Sequence, residues 1–203
     1  MEHVLDRPDD QCCLVGNFPD FVDNDHAIDK YSWVTRFNNT AGFGETSGSK
    51  ISELVLVSRG GQAQEWIEDD DFINRHAIRA AKLITLVFPQ CNDPGAECWF
   101  NELHEVLSGN GKTVTHISEA DHAYAQESLR ALGGRSGAAL SSGYVYAHSR
   151  LRTRSRRLPP LHIFAFSFEG WNGHAWDAEK EWFRQQSQEG RLEVHPVRQG
   201  LRS

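Results

Sequence analysis

This 203-residue sequence has no long apolar run. No stretch approaches the roughly 18 apolar residues that span a bilayer, so we expect no integral membrane segment. The first ten residues lack an apolar core, so no signal peptide is predicted. Of the four cysteines, Cys12 and Cys13 are adjacent in a predicted buried strand, and the spacing of Cys91 and Cys98 matches no common zinc pattern. These absences favour reduced thiols in a cytoplasmic protein.

Positive charge is also scarce. The chain carries 21 Lys and Arg against 28 Asp and Glu, a net charge of −7, which argues against a general nucleic-acid binder. The exception is a basic run over Arg150–Arg157, which either forms a solvated surface or faces an anionic substrate. The length predicts one domain over residues 1–203, with flexible ends at 1–10 and 197–203, and leaves the oligomeric state open.

Apolar strand-like runs alternate with helix-like segments along most of the chain. Because the strands read as near-continuous apolar runs, they are predicted to be buried on both faces, which indicates a mostly parallel sheet. The predicted fold is α/β, a Rossmann-like three-layer sandwich with helices flanking the sheet. Strands are predicted at 12–15, 32–36, 51–58, 82–88, 113–117, 161–168 and 192–195, and helices at 67–80, 96–107, 120–132, 142–150 and 174–188.

The first two predicted strands both end in asparagine. Cys12–Val15 stops at Gly16 and Asn17, and the second strand stops at Asn38. Glycine lets a ligand approach the backbone closely, and an asparagine amide can bond a base, a ribose or a phosphate. Each position is also compatible with an ordinary turn after a strand. Taken together, they predict a nucleotide site at the carboxyl edge of the sheet.

The same region resembles the long motif of the sialyltransferases that use CMP-sialic acid. The matching blocks are Val15-Gly16-Asn17, Ile28-Asp29, Val34-Thr35-Arg36-Phe37-Asn38, Gly42-Phe43 and Gly48-Ser49-Lys50. The resemblance implies a single-domain, GT-A-like glycosyltransferase in which Asn17 and Asn38 hold the nucleotide.

Two later blocks, within residues 141–184, extend the resemblance. Ser142-Gly143 resembles the family's short motif, and a hydroxyl with free N–H groups at a helix start suits a phosphate, although an ordinary N-cap gives the same pattern. His174, followed five residues later by Glu179, resembles the His-x4-Glu motif, whose histidine is the catalytic base. The segment 173–176 also fits the preceding histidine block of the family.

The geometry of a helix refines this second block. A histidine in the first helical turn is disfavoured as a cation, so His174 is expected to be neutral and able to act as a base. Five residues is an awkward helical spacing, so Asp177 is better placed than Glu179 to orient the ring. Trp171 and Trp176, beside His174, are candidates for stacking on a sugar or for core packing. The family's partner cysteine has no counterpart near 161–168, which implies that Cys12 and Cys13 are unbridged.

The resemblance implies inverting transfer of sialic acid or a related keto-sugar acid from CMP to a glycan or small hydroxyl acceptor. His174 would be the catalytic residue, the nucleotide would be held by Gly16, Asn17, Asn38, Ser142 and Gly143, and no metal or cofactor beyond the donor is expected. Two alternatives stay open. One is a nucleotide-binding accessory protein without catalysis, and the other is a metal-dependent glycosyltransferase using Asp69 and Asp71, whose acidic run also suits an ordinary helix start.

Overall fold

A computed structural model describes residues 11–23, 26–91 and 97–197. These residues form one seven-stranded sheet in which every paired strand is parallel to its neighbour, in the order β5-β4-β3-β2-β1-β6-β7. Of the ends predicted to be flexible, only residue 197 lies within the described part. The strands are β1 Cys12–Val15, β2 Trp33–Phe37, β3 Glu53–Leu56, β4 Leu83–Leu86, β5 Thr113–His116, β6 Leu161–Phe164 and β7 Leu192–Val194.

Helices cover both faces of the sheet, so the predicted α/β, Rossmann-like three-layer architecture is confirmed. Every residue of β1, β3 and β4 is buried, as expected for strands between two helical layers. None of the helices in the described ranges is long and apolar enough to cross a membrane. The helices are α1 Gly60–Ile67, α2 His76–Ala80, α3 Phe100–Gly109, α4 Glu119–Ala131, α5 Ser142–Thr153 and α6 Trp176–Gln188.

The apolar core is divided by the sheet. On one face, α4, α5 and α6 pack over the strands through residues such as Leu129, Val145 and Phe183. On the other face, α1, α2 and α3 cover one half of the sheet through residues such as Trp66 and Leu107. A smaller cluster beside β1 and β6 on that second face includes Phe164, with Phe21 and Tyr31 packed against it.

The chain reverses direction once across the sheet. It adds β2 to β5 outward on one side of β1 and then returns to place β6 on the other side. The loops that follow β1 and β6 therefore diverge, which opens a crevice at the carboxyl edge between these two strands. Open parallel sheets bind ligands at such a reversal.

The largest prediction error is the helix at 67–80. Helix α1 begins at Gly60 and ends at Ile67, a short 3₁₀ turn covers Phe72–Asn74, and α2 spans only His76–Ala80. The polar run 68–71 is thus a turn between helices. Strand β6 also ends four residues early, because Ala165 and Phe168 have positive φ values of 55° and 53°, which a strand cannot accommodate.

Candidate functional site

A cavity of about 970 Å³ lies at the carboxyl edge of the sheet, over the ends of β1 and β6. Its volume is at the upper end of the range for small-molecule sites. The structure brings all six predicted site residues into the lining of this one cavity. They are Gly16, Asn17, Asn38, Ser142, Gly143 and His174.

Gly16 lets β1 and β6 approach each other at the floor of the cavity. Its N–H donates to the carbonyl oxygen of Phe164 at 2.8 Å. A Cβ at Gly16 would lie 2.3 Å from the carbonyl oxygen of Ala165, which is far inside van der Waals contact. The glycine is therefore required by backbone packing at the floor of the cavity.

The two asparagines use only their amide oxygens within the fold. Asn17 Oδ1 accepts from the N–H of Ala41 at 3.1 Å, and Asn38 Oδ1 accepts from the N–H of Val57 at 2.9 Å. Asn38 also has a φ of 48°, a left-handed conformation that asparagine tolerates better than most residues. Among the described residues neither Nδ2 group has a hydrogen-bond partner, so both amides can donate to a ligand.

Helix α5 directs its first turn at the cavity and begins at Ser142, as predicted. Ser141 is the N-cap, and its Oγ accepts from the N–H of Tyr144 at 3.2 Å. Ser142 and Gly143 are thus the first two helical residues, whose N–H groups have no partner within an α-helix. These two N–H groups and the positive end of the helix dipole favour an anion.

Glu179 holds this helix start in place. Its carboxylate accepts from the N–H of Ser141 at 2.9 Å and from the Ser141 hydroxyl at 2.6 Å. Only 1% of Glu179 is exposed. Burial raises its pKa to about 7, although the two Ser141 hydrogen bonds act in the opposite direction. Both of these bonds go to Ser141, so Glu179 orients the start of α5.

His174 precedes α6 and does not lie in its first turn. Helix α6 begins at Trp176, so the prediction of a helix from His174 is wrong by two residues. Its Nδ1 lies 3.0 Å from the carbonyl oxygen of Ala139. Because a carbonyl can only accept, Nδ1 carries the hydrogen and Nε2 keeps its lone pair.

The environment keeps His174 neutral. Burial lowers its pKa, and the hydrogen bond to Ala139 only partly opposes this effect. Trp171 and Trp176 flank the ring in edge-to-face geometry, with ring centroids 5.0 and 4.7 Å away, and both also line the cavity. The predicted role of Asp177 as orienting partner is wrong, because the ring is oriented by a backbone carbonyl and Asp177 is exposed.

A second group of cavity residues, not predicted from the sequence, follows β3. Arg59 lines the cavity, and its Nη2 donates to the carbonyl oxygen of Pro89 at 2.9 Å. Its Nε is buried without a partner among the described residues. Gly60 and Gly61 start α1 beside it and also line the cavity. An Arg-Gly-Gly sequence after a buried strand is the signal that could have revealed this group.

His122 belongs to the same wall. Burial lowers its pKa, and the positive charge of Arg59 adds to the effect. Its ring meets Phe88 edge-on, with centroids 5.5 Å apart. The cavity wall thus combines a guanidinium, a neutral imidazole and unpaired N–H groups. This arrangement suits a ligand with anionic oxygens.

Several motif residues support the fold from outside the cavity. Arg36, 1% exposed, donates to the Ser47 hydroxyl and carbonyl and to the Lys50 carbonyl. Asp29 accepts from the N–H groups of Ser49 and Lys50. These bonds fix the loop that follows Asn38, so this part of the motif has a structural role.

Other charged candidates also lie away from the cavity. Asp69 accepts from Arg75 at 2.7 Å, and neither it nor Asp71 lines the cavity. The basic run does not line it either; within it, Arg152 pairs with Asp121 at 2.7 Å. The four cysteines all lie in described segments and form no disulfide, and Cys12 and Cys13 are buried in β1.

Comparison with known proteins identifies no relative: no family model, curated protein or solved structure matches the chain.

Proposed function

We propose that this protein is an inverting glycosyltransferase that transfers a CMP-linked acidic sugar to an acceptor hydroxyl. The observation that carries the proposal is that the strand-end asparagines, the start of α5 and one neutral histidine line a single cavity. A nucleoside monophosphate presents carbonyl, hydroxyl and phosphate oxygens, all of which accept hydrogen bonds. The cavity lining offers donors for such oxygens in Arg59, the two asparagine amides and the N–H groups at the start of α5, and it also contains the carboxylates of Glu97 and Glu169.

Each donor group has a place in the proposed complex. The Nδ2 groups of Asn17 and Asn38 would bind acceptor atoms of the cytidine. The N–H groups of Ser142 and Gly143 would hold the phosphate at the positive end of α5. Arg59 would pair with a carboxylate or a further phosphate oxygen of the donor.

His174 is the general base in the proposed reaction. Its Nε2 lone pair takes the proton of the acceptor hydroxyl while that oxygen bonds to the anomeric carbon. The bond from the anomeric carbon to the phosphate oxygen breaks with its electron pair, and CMP leaves. The transition state resembles an oxocarbenium ion, so positioning and stabilisation of the departing phosphate supply most of the rate. A monophosphate leaving group held by these N–H donors requires no metal in this scheme.

Binding of CMP tests the nucleotide half of the proposal. Wild type should bind CMP in calorimetry, and Asn38→Asp should weaken binding at least about tenfold, because it keeps Oδ1 for Val57 but replaces the Nδ2 donor with an acceptor oxygen. His104→Ala is the matched control, since His104 is exposed on α3 and does not line the cavity. Absence of CMP binding by the wild type would refute the proposal.

Release of CMP from CMP-sialic acid in the presence of acceptors tests the catalytic half. His174→Ala should lower turnover by about 10²- to 10⁴-fold with little change in CMP affinity. If wild type binds CMP but turns over no CMP-sugar, the protein is instead a nucleotide-binding accessory protein. That alternative uses the same asparagines and requires no base.

A further inference from the structure

We propose that the protein carries a zinc site on β6 and β7, formed by His162, Glu193 and His195. None of these residues lines the large cavity, so the inference is independent of the proposed function. In the described part of the chain, these three side chains form the group of histidine, cysteine or carboxylate ligands whose atoms lie close enough together to share one metal ion.

Strand register brings the three side chains together. His162 on β6 pairs directly with Glu193 on β7, so the two side chains lie on the same face of the sheet. His195 is two residues after Glu193 and therefore points to that face as well, and its N–H donates to the carbonyl of Ile163 at 2.9 Å. The Glu-x-His spacing and the neighbouring histidine are thus held by backbone pairing.

The distances between the ligand atoms are close to those of a metal site. Nδ1 of His162 lies 3.0 Å from Nε2 of His195. The Glu193 carboxylate oxygens lie 3.6 Å from the His162 nitrogen and 3.7 Å from the His195 nitrogen. Tetrahedral zinc with bonds of about 2.05 Å requires ligand atoms about 3.3 Å apart. Small side-chain rotations would therefore place all three around one ion.

Aromatic rings fix the two imidazoles. The His195 ring stacks on Phe164 with centroids 4.0 Å apart and an interplanar angle of 4°. Tyr31 packs against His162 with centroids 4.9 Å apart. Such outer contacts orient ligating histidines and limit access of water. The side chain of Glu193 is about half exposed, so the ion would enter from solvent.

Two imidazole nitrogens and one carboxylate oxygen form a ligand set that zinc commonly uses, with a fourth position left for water. The site joins β6 to β7. Strand β7 is the last strand on that side of the described sheet, so β6 is its only neighbour there. Bound zinc would therefore cross-link the short edge strand to the rest of the sheet.

Titration of the metal-free protein with Zn²⁺ tests the site. Wild type should bind one equivalent, and zinc at about 100 times its Kd should raise Tm by roughly 5 to 10 °C. His162→Ala and His195→Ala should each weaken binding at least about 100-fold, since loss of an outer partner alone costs 10- to 100-fold. Glu193→Gln, at a half-exposed position, is the variant least expected to disturb folding. His104→Ala should bind like wild type.

Co²⁺ distinguishes this site from binding to cysteine thiols. The bound Co²⁺ should give visible absorption bands without the ultraviolet charge-transfer band of a thiolate ligand. The zinc-free variants should unfold at nearly the wild-type temperature, which shows that any loss of affinity is local. Unchanged affinity in the folded His195→Ala and Glu193→Gln variants, or a thiolate band with Co²⁺, would overturn the proposal.

Discussion

The pH dependence of stability should report the buried carboxyl group under α5. Glu179 is 1% exposed, and burial raises its pKa to about 7 from an ordinary value of 4.5. Glu179→Gln keeps the shape of the side chain and one acceptor for Ser141 but cannot titrate. The variant therefore isolates the contribution of one ionisation to folding.

The sign and size follow from proton binding. Between pH 4.5 and 7 the folded protein keeps a proton on Glu179 that the unfolded chain has released. The stability of the wild type therefore falls as pH rises through this window, and the loss is complete above pH 7. The difference between the two pKa values corresponds to about 3 kcal/mol. As pH rises from 5 to 8, the free energy of unfolding of Glu179→Gln should therefore increase by about 2 to 3 kcal/mol relative to that of the wild type.

Urea unfolding followed by tryptophan fluorescence at several pH values measures this difference. Glu181→Gln is the matched control, because Glu181 lies partly exposed on the same helix and its hydrogen bond with Arg184 lowers its pKa to about 2. Both of its relevant pKa values lie below the window, so its stability difference from wild type should stay flat. A constant difference between Glu179→Gln and wild type from pH 5 to pH 8 would show that burial does not hold a proton on Glu179.

Three further substitutions test the packing that surrounds the cavity, each by urea unfolding with circular dichroism to check the fold. Gly16→Ala should lower the free energy of unfolding by about 1 to 3 kcal/mol and reduce CMP binding, because its Cβ would lie 2.3 Å from the Ala165 oxygen. Unchanged stability would show that β1 and β6 separate easily. Tyr146→Phe should lower the free energy of unfolding by about 1 to 3 kcal/mol, because it removes the 2.7 Å bond that the tyrosine hydroxyl donates to the fully buried Glu53. Unchanged stability would mean that another donor replaces the hydroxyl. Arg36→Lys should lower the free energy of unfolding by about 2 kcal/mol, because an ammonium group cannot reproduce three guanidinium bonds to one loop. Wild-type stability of the variant would refute that structural role.

The strands were predictable because burial on both faces leaves a strong signal. Runs such as 54–57 and 83–88 contain little but apolar residues. Each forms a strand that starts within two residues of its predicted start and ends earlier than predicted. The true helix boundaries between residues 60 and 80 were not predictable from such a signal. The sequence after β3 contains Gly60 and Gly61, which are poor helix formers, so the true start of α1 resembles a turn. Tertiary packing of Trp66 overrides that local preference.

The site was predictable where function follows from position on the chain. Asn17 and Asn38 come directly after neighbouring parallel strands, so their proximity follows from the sheet alone. The role of Glu179 was not predictable, because its partner is 38 residues away on a different element. His122 was missed for the same reason, since only the fold places the start of α4 opposite the segment after β3, whereas Arg59 follows its strand in an Arg-Gly-Gly sequence that could have indicated it.

The hydrogen-bond partners of the motif residues separate two roles that the sequence alone cannot distinguish. Arg36 and Asp29 direct their polar groups to backbone and hydroxyl atoms of a single loop, and those groups are occupied by the fold. Asn17 and Asn38 each satisfy one acceptor through the fold and retain their donors at the cavity. A buried donor without a protein partner is costly unless water or a ligand satisfies it. Among the described residues, Arg59 Nε is such a donor in the cavity wall, whereas Asn17 is exposed and Asn38 is partly buried. The bonds of Arg36 and Asp29 therefore indicate a structural role, and the donors of Arg59, Asn17 and Asn38 are the ones left for a ligand in the proposed function.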